Sequence, residues 1–501
     1  MRARLQVLIG AGIAAVVSLA PSVATASAAS PGAATVATTT ALSSSVASSS
    51  YDSPVRFTAR VTAATGIPTG SVTFTDESTG SILGSVALHR GTAAFATAAL
   101  APGTRDIVAR YGGSGTFAAS SSAALSLPVA RAGSDAVAYQ ITTGHSGRQA
   151  TGTLRPGSLA KKWSVTLGGT GGGFVEAGDV SYPVIAGGRV FVTVEHTDTS
   201  RTTLCALDAA TGATAWSVGL AGTFGFSALA YDGRRVFALN YDGVLTAFAA
   251  ATGHQLWSVQ MPVQAGVTPA FTAPPTGYDG IVYVSGAGTV YAVSEAGGIV
   301  GWKRRVDGGD KSSPAVDGSG MYESYACNQD YRFSLAGHLV WHLSAGCGGG
   351  GGSTAVLHGT FLYARGFLPL STPIILAKSS GDQVGTFASD TAPAFDSTNM
   401  YTVRSGTLVA ADPSGGPSRW EFGDGAFVTA PVVSNGVVYV GSSTGTVYGV
   451  SVKSHTAIWS ATAGPAIVGP DEQNPDVLIG MAIGGGLLAV PAANVLTAFG
   501  N

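Results

Sequence analysis

The sequence predicts an all-β protein of two folded parts: a small β-sandwich followed by an eight-bladed β-propeller. Three observations carry that reading. Glycine (71) and proline (23) make up about a fifth of the 501 residues, as expected of a chain built from many short strands and turns. Residues 38–130 alternate apolar and polar side chains in short runs between turn residues, the period of half-buried strands. All seven tryptophans fall beyond residue 137, at spacings of 53, 41, 45, 39, 79 and 39, a repeat of about 40 residues.

Residues 1–28 read as a signal peptide. Arg2 and Arg4 precede an apolar run from Leu5 to Ala20, and small residues from Ala24 to Ala29 place cleavage after Ala28. The run is about 16 residues long, short of the roughly 20 that a spanning helix needs. Val477 to Phe499 is also uncharged, but Gly480, Gly484, Gly485, Gly486 and Pro491 interrupt it. Two buried strands and a turn are expected there. No transmembrane segment is expected after signal cleavage, and the mature chain is expected to be secreted, extracellular or associated with the cell surface. Nucleic acid is excluded as a partner, because 26 basic against 28 acidic residues leave a net charge of −2.

After a linker at 29–37, the segments Val55–Val61, Ser71–Thr75, Ile82–Leu88, Thr92–Ala98, Arg105–Tyr111 and Ala123–Val129 read as strands. Their spacing predicts a sandwich over 38–130. Pro68-Thr69-Gly70-Ser71-Val72-Thr73-Phe74, Leu100-Ala101-Pro102-Gly103-Thr104 and Val108-Ala109-Arg110-Tyr111-Gly112-Gly113 resemble the bacterial immunoglobulin-like repeats of exported surface proteins. The resemblance implies a spacer or adhesive module with no chemistry of its own.

Residues 131–138 read as a second linker, and the repeat occupies 139–501. Ala210-Thr211-Gly212-Ala213-Thr214-Ala215-Trp216 recurs as Ala251-Thr252-Gly253-His254-Gln255-Leu256-Trp257. The interval of 79 is two units with one Trp missing, and Gly385 stands in the gap. Pro183, Leu229, Pro269, Pro314, Ala355, Pro393, Pro431 and Met481 each begin a short apolar strand at the same period, giving eight four-stranded units. The last unit ends at Leu496–Phe499 without a Trp strand, whereas Lys161–Leu167 is a Trp strand without a unit. Strand 161–167 is therefore expected to complete the last blade and close the ring. The Gly-x-Val-Tyr strands, the Thr-Gly turns and the Trp four residues on resemble the repeats of pyrroloquinoline-quinone-like (quinoprotein-type) propellers. Tyr139-Gln140-Ile141 and His145-Ser146-Gly147 resemble the lead-in to that family's first blade.

The resemblance raises the question of a quinone site, which would need calcium ligands and a carboxylate base. The family's adjacent Cys pair is missing. The residues before the eight strand starts are Tyr182, Ala228, Thr268, Ser313, Thr354, Ala392, Ala430 and Gly480, so a small, uncharged channel is expected and no catalytic, cofactor or metal residue is assigned. No Gly-Lys or His-Glu-x-x-His occurs. His338 and His342, four apart on a strand, would sit about 13 Å from each other, too far to share a metal. Lys303-Arg304-Arg305 with Asp307, Asp310 and Lys311, and Glu176 and Asp179 with Glu195-His196-Thr197-Asp198, read as solvated loops.

Three cysteines in an exported chain sit in an oxidising context. Cys327 and Cys347 fall on one edge of the fourth unit, with the Gly346–Gly352 run giving freedom to curl, and a Cys327–Cys347 disulfide is expected. Cys205 is expected to be a buried thiol. The Gly runs 168–173 and 346–352 occupy equivalent links and mark one face as a recognition surface. The expected function is that of an exported, non-catalytic binding or scaffold protein. The partner would be cell-wall polymer, polysaccharide or an exported protein. The alternative is a propeller-based enzyme, a quinone-dependent oxidoreductase or a polysaccharide-active enzyme.

Overall fold

The computed structural model describes residues 35–50, 55–78, 80–97, 103–130, 135–151, 157–167, 179–196, 201–223, 227–263, 267–308, 312–344, 351–366, 372–423, 425–472 and 477–501, with Leu100, Leu154 and Arg155. The signal sequence at 1–28 lies outside the described residues. Among those described, every regular element is a strand, and no helix is long and apolar enough to cross a membrane. The chain divides in the main into one compact unit up to Val129 and another from Ala130 to Asn501.

The first unit is built from two sheets. Thr38–Ser44, Val55–Ala63 and Thr92–Thr97 form one; Leu125–Ala130, Gly103–Tyr111, Ser71–Asp76 and Ser81–Ala87 run side by side in the other. Alternation decides which side chains go inside. Val55, Phe57, Ala59 and Val61 are buried while Arg56 and Arg60 between them are exposed. They meet Val72, Phe74, Ile107, Ala109 and Leu127 from the second sheet. Phe74 and Phe95 stack across the two sheets with centroids 5.6 Å apart.

The second unit holds, among its described residues, eight sheets: seven of four antiparallel strands, and one of four antiparallel strands with Arg148–Gln149 added in parallel. The first runs from Val184–Ala186 through Arg189–His196 and Arg201–Asp208 to Thr214–Leu220. The eighth comprises Ala482–Gly484, Leu487–Ala492 and Val495–Gly500, and its fourth strand is Ala160–Thr166 from the other end of the unit. The uncharged stretch from 477 to 499 is three buried strands rather than two, with turns at Gly485-Gly486 and at Ala493, all at positive φ. The inner strands, the first of each sheet, neighbour one another in turn from the first sheet to the fifth and from the sixth to the eighth, and that of the first sheet lies beside that of the eighth.

The third sheet corrects one sequence expectation. Its inner strand is Thr276–Tyr278, not a strand beginning at Pro269. Residues 267–275 are an insertion whose Pro-Ala-Phe run imitates an inner strand. Phe271 is fully buried in it, and a methyl group on Gly243 or Gly286 would stand 2.4 or 2.2 Å from its ring. Pro274 therefore takes the axial place expected for Thr268, which is exposed.

The recurring Trp and the turn glycine four residues before its position form one joint between sheets. Trp163, Trp216, Trp257, Trp302 and Trp341 each lie over the turn glycine of the next sheet: Gly212, Gly253, Gly298, Gly337 and Gly381. A Cβ at any of these glycines would stand 2.6–2.7 Å from the indole, and their φ values are +68° to +81°. Both conditions demand glycine. Each indole N–H donates to a carbonyl of that turn at 2.8–3.0 Å. Where the sixth sheet meets the seventh, His455 replaces the glycine and stacks on Trp420 at 5.0 Å. Gly385, in the Trp gap, lies against the Ser414 carbonyl instead.

Candidate functional site

The axis of the second unit is occupied by the chain's own residues. Residues 136–147 pass around it as a strap. Six inner strands donate a backbone N–H to it: Ile185 to Ala136, Tyr231 to Val137, Val316 to Thr143, Leu357 to Gly144, Phe395 to Ser146 and Val433 to Gly147, at 2.7–3.1 Å. Gln149 Nε2 donates to the Ile483 carbonyl of the eighth sheet at 3.0 Å, and His145 Nε2 lies 3.5 Å from Thr276 Oγ1 of the third. The strap bends sharply to do this. Gln140, Ile141 and His145 all have positive φ, 55°, 74° and 56°. For a β-branched residue such as Ile141 this is a strained conformation, held by its surroundings.

Tyr139 and His145 fill the centre, and both are fully buried. His145 Nδ1 meets the Tyr139 carbonyl at 2.8 Å, and Nε2 lies 3.0 Å from the Pro314 carbonyl and 3.2 Å from Ser313 Oγ. Burial, the largest influence, lowers its pKa. The Tyr139 ring packs edge-on against Tyr182 at 5.3 Å. A Cβ on Gly480 would stand 3.1 Å from that ring, so the glycine makes room for it. Burial, then the Glu472 carboxylate, raises the Tyr139 pKa well above its ordinary value. Glu472, on the segment leading into the eighth sheet, ion-pairs with Arg365 after the second strand of the fifth, and accepts the Thr354 N–H at 3.0 Å. Both charged side chains are less than a tenth exposed.

These residues do not fit a calcium–quinone pair. The axial positions Tyr182, Ala228, Pro274, Ser313, Thr354, Ala392, Ala430 and Gly480 are buried and offer no carboxylate or amide side chain. The Glu472 carboxylate, whose charge acts on Tyr139 and His145, already has Arg365 and the Thr354 N–H as partners. No group of three or more His, Cys, Asp or Glu side chains among the described residues is placed to hold a metal.

Other acids lie off the axis. Glu295, on the third sheet, is hydrogen-bonded to Asp232 on the second; burial and that neighbour push its pKa up to about 9. Two carboxyls in direct contact leave no room for a sugar between them, unlike the separations of about 5–9.5 Å in glycoside hydrolysis. Glu323 and Asp330 on the fourth sheet are fully buried, and no oxygen of either carboxylate has a hydrogen-bond partner. Burial raises Glu323 well above the carboxylate range and pushes Asp330 up to about 7.

The structure keeps the sequence-marked residues apart. His338 is exposed and bonded to Ser334, while His342 stacks on Tyr331 at 4.0 Å and bonds Gln329 at 2.8 Å. Arg304 stacks over Trp302. Asp310, Lys311, Glu176, Thr197, Asp198 and both Gly runs up to Gly350 lie outside the described residues. Cys205 is a free, buried thiol, its pKa pushed up to about 11 by burial. Cys327, in a turn at φ 62°, is not free, and Cys347 lies outside the described residues.

Comparisons agree with both folds. The family described as "Bacterial Ig-like domain (group 3)" matches residues 42–130, and the family described as "Outer membrane protein assembly factor BamB" matches 156–268 and 373–494. No curated protein matches the sequence. Among solved structures, a europium-containing methanol dehydrogenase is 13% identical, with a TM-score of 0.55 over 74% of this chain and 98% of its own. The quinohemoprotein alcohol dehydrogenase of Comamonas testosteroni is also 13% identical, with a TM-score of 0.55 over 73% of this chain and 80% of its own. BamB from Moraxella catarrhalis is 16% identical, with a TM-score of 0.47 over 68% and 98%. At such identities the likeness concerns the fold alone. The chain thus carries a segment that matches bacterial immunoglobulin-like domains, followed by repeats similar to those of pyrroloquinoline-quinone-like propellers.

Proposed function

We propose that this is an exported, non-catalytic binding or scaffold protein. Its propeller would be the recognition platform for a cell-surface polymer or another exported protein, and its sandwich a spacer. On this reading residues 1–28 are removed on export, the ring has eight blades, and a Cys327–Cys347 disulfide braces the fourth. The observation that carries the proposal is the filled axis: Tyr139, His145 and the Arg365–Glu472 pair occupy the place where an axial cofactor would sit. The matching repeat family is described as an outer membrane protein assembly factor, which supports a binding or scaffold reading.

Co-sedimentation of residues 29–501 with purified cell walls and a panel of insoluble polysaccharides tests it, with a chain of residues 135–501 alongside. Retention of both on one polymer supports a propeller platform. Retention of neither removes the polymer and leaves an exported protein as the partner to seek. Turnover of an alcohol by the quinone-supplemented protein would overturn the non-catalytic reading. For the disulfide, thiol titration of the unfolded, unreduced chain should find one thiol, that of Cys205; three would end it.

A further inference from the structure

We propose that His145 and Ser313 form a proton-coupled hydrogen-bond switch at the propeller axis, in which the charge on the imidazole decides whether Ser313 ties the fourth sheet to the third. At this place the strap relies on a side chain. Among the described residues the third inner strand, Thr276–Tyr278, gives it no backbone bond. The fully buried His145 ring stands there instead, in contact with Thr276 of the third sheet. It also meets Ser313 and Pro314, which lead into Ala315–Asp317 of the fourth.

The acceptors around the ring fix where its hydrogens lie. Nδ1 has the Tyr139 carbonyl at 2.8 Å, and a carbonyl only accepts, so Nδ1 carries a hydrogen in both charge states. Nε2 has the Pro314 carbonyl at 3.0 Å, Ser313 Oγ at 3.2 Å and Thr276 Oγ1 at 3.5 Å. In the neutral ring Nε2 is a lone pair, which a carbonyl repels and a hydroxyl satisfies, and Ser313 supplies the nearest one. A hydroxyl has a single hydrogen, and Ser313 Oγ also lies 2.8 Å from the Pro274 carbonyl. Serving Nε2 therefore leaves Pro274, just before the third inner strand, without it. When the ring takes up a proton, Nε2–H donates to the Pro314 carbonyl and the Ser313 hydroxyl turns to Pro274. Proton uptake thus exchanges one hydrogen bond for two, and the second joins the segments leading into the third and fourth inner strands.

Opposed influences set the pH at which this happens. Burial, the largest, favours the neutral ring, whereas the two carbonyls and the Glu472 carboxylate favour the charged one, and the balance leaves the pKa below its ordinary value. Glu472 acts from the segment leading into the eighth sheet and is paired with Arg365 of the fifth. Tyr139, beside the ring on the strap, has its own pKa raised by burial and stays un-ionised. The third and fourth sheets offer the ring hydroxyls and carbonyls. The ring is therefore neutral at pH 7. The stability that it contributes in this form is complete above pH about 6.5 and is lost as pH falls through its folded pKa.

Nuclear magnetic resonance of the full mature chain can follow both ends of the switch. With nitrogen-15 in the histidine rings, the His145 signals are those with a through-space contact to the Tyr139 ring, whose centroid lies 6.5 Å away. Pro274-Pro275 is the one Pro-Pro pair in the sequence, so proline labelled at its nitrogen and its carbonyl carbon gives a single carbonyl–nitrogen correlation, that of the Pro274 carbonyl. At pH 8 the ring should carry hydrogen on Nδ1 alone. On acidification Nε2 should gain a hydrogen, and the Pro274 carbonyl signal should move with the same midpoint. In Ser313→Ala the ring should still titrate while the Pro274 signal loses most of its response. Hydrogen on Nε2 alone at pH 8, a ring that stays neutral until the chain unfolds, or a Pro274 signal that ignores the ring's titration overturns the switch. So does a full Pro274 response in folded Ser313→Ala, which would trace the shift to the ring's charge acting through space. If that variant does not fold, the tautomer and the two midpoints of the parent chain decide.

Discussion

Gly253 must be glycine twice over: its φ is +71°, and the Trp216 indole lies where a Cβ would be. Gly253→Ala is therefore expected to cost about 2–3 kcal/mol from overpacking and backbone strain, read as a lowered midpoint in chemical denaturation. Gly436, also at positive φ but with nothing within 4 Å of its would-be Cβ, is the control. Gly436→Ala should cost about 1 kcal/mol or less. These joints were legible in the sequence because a Trp recurs with a turn glycine four residues before it, at Gly212, Gly253, Gly298 and Gly337. The acids of the fourth sheet were not. Glu323 and Asp330 sit in strands whose two faces are both covered by neighbouring sheets, so alternation no longer separates inside from outside. Their pH behaviour follows. Because the folded-state pKa of Asp330 is raised from 3.8 to about 7, its neutral form belongs to the fold. Its contribution is fully present below pH about 4, declines as pH rises to about 7, and is flat beyond. Asp330→Asn should leave stability near pH 4 almost unchanged and raise it at pH 8 by a few kcal/mol. Urea melts at the two pH values check this, and equal effects at both would contradict it.

Two elements outside the repeat hold the repeat together. Ala160–Thr166 pairs with Val495–Gly500 from Ala160↔Gly500 to Thr166↔Val495, and Trp163 makes the joint to Gly212. Removing residues 161–167 takes away a whole edge strand and one of the Trp joints. The expected result is loss of the cooperative transition in thermal unfolding; a melt within a degree of the parent would contradict it. This strand could be found from sequence by its Trp and by the missing fourth strand of the last unit. The strap could not. Tyr139–Gly147 has neither strand nor helix periodicity, and its bonds go to carbonyl and amide groups that any sequence carries. Its family resemblance marked where it lies in the chain, not its passage through the axis. The third sheet went astray for a related reason: Pro269-Ala270-Phe271 has the composition of an inner strand, and only the depth at which Phe271 is buried shows it to be an insertion.

At the scale of the whole propeller, the strap turns an arrangement of nearest neighbours into one that is tied at the centre. Each sheet otherwise contacts only the sheets beside it, as in other repeat folds. The strap adds a shared partner for six inner strands by backbone bonds, and for the eighth through Gln149. Six such bonds at about 1 kcal/mol each already reach the lower end of the 5–15 kcal/mol by which domains are stable. The burial of Tyr139, Ile141 and His145 adds to them. A chain beginning at residue 135 should therefore keep a single transition near that of the longer protein. One beginning at residue 150, which retains every strand of the eight sheets apart from Arg148–Gln149, should lose many degrees of melting temperature and broaden as sheets unfold separately. Differential scanning calorimetry separates the cases, since agreement of calorimetric and van't Hoff enthalpies reports one cooperative unit. Equal transitions for the two chains would show that the sheets hold the ring unaided and that the strap merely fills it.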